Sequence, residues 1–70
     1  MTPSRTMAYY ISQPSSMWPE SLRNTLMNVP PAQRSSFDAV AFIVHCWLTY
    51  GERELTYKEI EEFAGHETAI

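Results

Sequence analysis

The stretch Ser35-Ser36-Phe37-Asp38-Ala39-Val40-Ala41-Phe42-Ile43-Val44-His45-Cys46-Trp47-Leu48-Thr49-Tyr50-Gly51 decides the fold. Ser35 and Ser36 offer an N-cap, and Ser35 with Asp38 has the spacing of a capping box in its Asp form. Gly51 is placed as the C-terminal stop, so the spacing predicts a helix to about Tyr50. On a helical wheel Phe37, Val40, Ala41, Val44, Trp47 and Leu48 form one apolar face. Asp38, His45, Thr49 and Glu52 make a narrow polar stripe, and Ala39, Phe42, Ile43, Cys46 and Tyr50 fill the remaining side. The apolar arc is far wider than the roughly 100° stripe of a surface helix. With little chain to cover it, part of this arc is expected to be left for another protein.

Working outward, Thr56-Tyr57-Lys58-Glu59 reads as a capping box that opens another helix. Leu55 and Ile60 make the matching hydrophobic staple. Tyr57, Ile60, Phe63 and Ala64 face inward, and Gly65 reads as the stop. Upstream, a helix is expected from about Met17 to Asn28, capped by Ser15 or Ser16, with Pro19 in its first turn. Trp18, Leu22, Leu26 and Val29 recur at helical spacing, and Pro30-Pro31 ends the element. Residues 1–16 hold Pro3 and Pro14 and no helical period. Within them Met7-Ala8-Tyr9-Tyr10-Ile11 has high strand propensity, so an extended arm is expected, packed on its own domain or paired with a second copy. Met7 is an alternative start. The predicted architecture is mainly α: an arm over 1–16 and a small three-helix domain over 17–70.

Seventy residues make one domain. A chain of this size buries only roughly 60 % of its unfolded surface, which leaves a thin stability margin. The single cysteine, Cys46, excludes an intrachain disulfide and fits a reducing cytoplasm. The formal charge is −3. Arg5, Arg23, Arg34, Arg53 and Lys58 are scattered, while Glu52, Glu54, Glu59, Glu61, Glu62 and Glu67 crowd the C-terminal third. That balance argues against a nucleic-acid partner, whose phosphates call for a basic excess. No apolar run approaches the roughly 20 residues that span a bilayer, and no secretion signal is visible.

Catalysis is not expected. Asp38 and His45 share a helix face but lie about 10 Å apart along the axis, too far for a base and its orienting partner. No glycine-flanked serine marks a nucleophile elbow. His45 and Cys46 point about 100° apart, and with His66 they make no metal-ligand spacing. The two glycines read as helix stops, so neither a cofactor nor a metal is expected.

The segment Glu54-Leu55-Thr56-Tyr57-Lys58-Glu59-Ile60-Glu61-Glu62-Phe63-Ala64-Gly65 resembles the second helix and turn of helix-turn-helix and winged-helix DNA-binding domains. The resemblance covers Ser35 to about His66, under half the chain. It implies a regulator that binds DNA as a dimer. The sequence departs from that pattern at Glu61, where the family usually has a small residue. It departs again after Gly65, where the residues of a recognition helix do not follow.

The remaining signal is aromatic and sulphur-rich surface potential, with nine aromatic residues and four methionines. Tyr9, Tyr10, Trp18, Phe42, Cys46, Trp47 and Tyr50 form the candidate partner-binding set, rich in the types that anchor protein interfaces. The reading this supports is a small interaction protein that binds a larger protein partner and inhibits or modulates it, with a homodimer as an option. Inhibitors of the phage or mobile-element type are an analogy only. The alternatives are a truncated helix-turn-helix regulator and a self-associating structural protein.

Overall fold

The computed structural model describes residues 7–68. In chain order they form α1 (Met7–Ile11), a 3-10 turn (Ser15–Met17), α2 (Glu20–Asn28), a second 3-10 turn (Pro31–Gln33), α3 (Phe37–Thr49) and α4 (Tyr57–Thr68). There is no strand among the described residues, and the mainly α class follows.

α3 is the central element, because its wide apolar arc serves two groups of side chains at once. Val44 and Trp47 pack with Tyr10, Trp18 and Leu22. Ile43 and Cys46 pack with Val29, Leu55 and Ile60. Leu26 of α2 touches both groups. Each large apolar side chain buried this way contributes about 1.5–3 kcal/mol, which must offset the ordering of the chain. Among the described residues no buried side-chain nitrogen or oxygen lacks a hydrogen-bond partner.

The ends of α3 follow from its sequence. Ser36 is the N-cap, and its side chain accepts from the Ala39 N–H at 3.1 Å, so the cap falls one residue after Ser35 of the expected box. At the C-terminus the Glu52 N–H donates to the Trp47 carbonyl and the Gly51 N–H to that of Leu48. These two bonds make a Schellman motif, which places Gly51 in the left-handed region at φ 79°. α4 opens with the predicted capping box: the Thr56 N–H donates to Glu59 Oε1 at 3.0 Å, and the Glu59 N–H donates to Thr56 Oγ1 at 3.2 Å. Leu55 and Ile60 are both buried in the second group, as a staple requires. Gly65 does not stop the helix, since α4 runs through it to Thr68. A glycine in a helix costs only about 1 kcal/mol, and the inward turn of Tyr57, Ile60 and Phe63 outweighs it.

The N-terminal third differs from its sequence reading in two ways. Residues 7–11, expected to be extended, are helical; residues 1–6 of the arm lie outside the described residues. A lone strand has no mate for its backbone, whereas one helical turn closes its own bonds, here Ser12 N–H to the Ala8 carbonyl at 3.1 Å. The same turn seats the Tyr10 ring edge-on against Trp47, with centroids 5.1 Å apart. The helix expected from Met17 is also divided. Trp18 precedes a proline and is held extended at φ −77°, ψ 154°, so Ser15–Met17 closes as a separate turn and α2 begins after Pro19.

The loop into α4 is pinned to α2 by polar groups. The buried Thr25 hydroxyl donates to the Ser21 carbonyl at 2.7 Å and accepts from the Leu55 N–H at 3.0 Å. Asn24 and Asn28 each donate to the Glu54 carboxylate, and Asn28 also donates to the Leu55 carbonyl at 2.8 Å.

Candidate partner-binding cleft

The sequence-predicted set is not one surface. Tyr10, Trp18, Cys46 and Trp47 are buried, so in this fold they are core residues and present nothing to a partner. α1 covers what the wheel alone leaves open around Trp47, and α4 with Val29 covers Cys46. Tyr9 is 40 % exposed on α1, stacked edge-on against Tyr10. Phe42 is half-buried and Tyr50 is 38 % exposed. The last two meet through Phe63 of α4, whose ring centroid lies 5.7 Å from each. His45 joins the same group at 5.5 Å from Phe63. Other exposed apolar side chains, Met17, Met27 and Phe37, sit on three separate elements.

Between α3 and α4 lies a cleft of about 320 Å³. Its walls are Val29, Ala39, Phe42 and Ile43 on one side and Tyr57, Ile60 and Ala64 of α4 on the other, with Gln33 and Glu61 as the polar members. Ala39 and Ala64 explain the space: each ends at Cβ where a longer side chain would fill it. Ala39, Phe42 and Ile43 belong to the side of α3 that the wheel leaves over. Phe42 alone of the candidate set lines the cleft; Val29, Gln33, Ala39, Ile43, Tyr57, Ile60, Glu61 and Ala64 are lining residues that the site reading missed. Ala64 on an inward position and Ala39 on the remaining side of α3 were the available signal, but it needs the relative placement of the helices.

Electrostatics around the cleft are set by fixed pairs. The Tyr57 hydroxyl is held above the ordinary phenol range, first by burial and then by the negative charge of the adjacent Glu61 carboxylate. Half-buried Arg34 donates from Nε to the Val29 carbonyl at 2.9 Å. At the start of α4, Glu59 pairs with Arg53 of the preceding loop, which lies over the Tyr50 ring, 5.5 Å from its centroid. The Arg53 hydrogen bond, followed by the Thr56 N–H, brings the Glu59 carboxyl down to about 2.

The cleft walls are mostly apolar and aromatic side chains. Among the described residues no three His, Cys, Asp or Glu side chains converge as a metal site would need. No helix among them is long and apolar enough to cross a membrane. α4 forms no turn at Gly65, which is where the helix-turn-helix resemblance places one. No family model, curated protein or solved structure matches the chain.

Proposed function

We propose that this protein is a small cytoplasmic interaction protein that binds a larger protein partner through the α3–α4 cleft and so blocks or modulates it. The observation that supports this reading is the cleft itself: an apolar recess, floored by Ile43 and Ile60 and flanked by half-buried Phe42 and Tyr57. Its volume sits at the low end of the roughly 300–1,000 Å³ range of ligand sites. Such a recess suits one or two anchor side chains of a partner segment, the mode in which a helix or strand lays its apolar residues into a groove.

The test is capture of a partner by tagged full-length protein, with nuclease and high salt in the wash, comparing wild type with Ala64→Arg. Ala64 is half-buried on α4, and arginine is a good helix former, so the substitution obstructs the cleft while sparing the helix. A stoichiometric protein retained by wild type and lost from the variant supports the reading. A partner held equally by both, or recovery of nucleic acid alone, overturns it.

A further inference from the structure

We infer that the segment seated in the cleft is an amphipathic peptide whose apolar anchors are flanked by a basic residue that pairs with Glu61. The inference rests on the proposed docking role and adds the chemistry of the partner. Seven of the nine lining residues are apolar or aromatic, and Glu61 is the one charged residue among the nine. It is exposed and stands on the same helix as the exposed Glu62, one position on. Arg34 has its Nε committed to the Val29 carbonyl, and Arg53 is paired with Glu59. Lys58 and His66 of α4 are exposed but are not part of the cleft wall. An acidic segment would therefore bring its charge against Glu61 with no lining cation to meet it. A basic one gains an ion pair at the rim while its apolar side chains enter between Phe42 and Ile60. The chain's net charge of −3 favours the same sign of partner during encounter.

Rim charges act more on selectivity and encounter than on raw affinity, so the effect is a preference, not an absolute requirement. The experiment uses the full chain, isotope-labelled, titrated with three short helical peptides that share leucines at i, i+3, i+4 and i+7. They differ only in the residues flanking the leucines: lysine, glutamine or glutamate. Shifts at the Ala39, Phe42 and Ala64 amides report occupation of the cleft, and a circular dichroism melt confirms that each variant is folded. The lysine peptide binds about fivefold tighter than the glutamate peptide, a preference that shrinks as salt is added. Glu61→Gln reduces the preference, and Glu61→Lys reverses it.

Equal binding of all three peptides at the cleft overturns the basic-partner inference and leaves the docking role standing. A preference for lysine that survives Glu61→Lys also overturns it, since the charge is then read elsewhere. Absence of cleft shifts with every peptide overturns the inference as stated. The docking role is judged separately, by the capture experiment with Ala64→Arg.

Discussion

The indole Nε1–H of Trp18 donates to the backbone carbonyl of Tyr10 at 2.7 Å, in the buried core. One bond thus fastens α1 to the segment that leads into α2, and both residues pack on the same side of α3. Trp18→Phe keeps an aromatic ring but removes the donor. The Tyr10 carbonyl retains its bond from the Gln13 N–H, so it is weakened rather than orphaned. A loss of about 1–2 kcal/mol is expected, from the bond and the smaller ring together. Urea unfolding of the purified variant measures it. A change within error of zero would mean that α1 is not docked on α3 in solution.

Thr25 gives a sharper comparison. Its hydroxyl is fully buried and serves the Leu55 N–H, which sits at the entrance to α4. Thr25→Val preserves shape but leaves that N–H unpaired, with an expected cost of about 1–3 kcal/mol. Thr25→Ser keeps the hydroxyl and gives up one methyl, so it should cost less than the valine. Chemical denaturation ranks the two. The reverse order would show that packing, not the hydrogen bond, holds the loop.

The two glycines should respond in opposite directions. Gly51 lies at φ 79°, where an added Cβ meets no neighbour but an L residue would be strained by the left-handed backbone. Gly51→Ala is expected to destabilise by about 1 kcal/mol. Gly65 lies within α4 with open space around it, so Gly65→Ala should raise the helix content and stabilise by up to about 1 kcal/mol. Thermal melts of the two variants should move to opposite sides of wild type.

Glu59 predicts an acid response. Its folded pKa is lowered from 4.5 to about 2 by Arg53 and the Thr56 N–H. A depressed carboxyl contributes stability that is present above the unfolded pKa and lost as pH falls through the folded one. Between pH 4.5 and about 2 the wild type should therefore lose stability through this group. Glu59→Gln should be less stable than wild type at pH 7, and the gap should close across that window. Denaturation midpoints at a series of pH values report it, and a constant gap would remove Glu59 from the acid response.

Legibility in the sequence tracked how local each interaction is. The caps of α3 and α4 and the stop at Gly51 involve partners within a few residues, and Ser36, Thr56, Glu59 and Gly51 could be read directly. α1 could not, because five residues of strand-prone sequence became helical only through Trp47 and Trp18, which lie far along the chain. For the same reason the wheel grouped Cys46 with Phe42 and Tyr50 correctly as a face, but not which neighbours would cover it. The cleft arises where two alanines from different helices leave volume unfilled, a property of the pair and of neither residue alone. The break at Trp18-Pro19 is the instructive miss: the restriction on a residue preceding proline applied there as it did at Val29-Pro30.

The division of the core on either side of α3 makes α4 separable from the rest. Ile60, Phe63 and the Leu55 staple hold it on one flank, while Tyr10, Trp18 and Trp47 hold the other flank without it. A fluctuation that lifts α4 need not disturb the tryptophans, so the molecule carries a built-in reporter for each half. The Cys46 thiol, fully covered in the closed form, becomes reactive toward a thiol reagent only when its flank opens. Tryptophan emission follows the other flank, and the two clocks, read side by side, would time the opening of α4 against the unfolding of the whole.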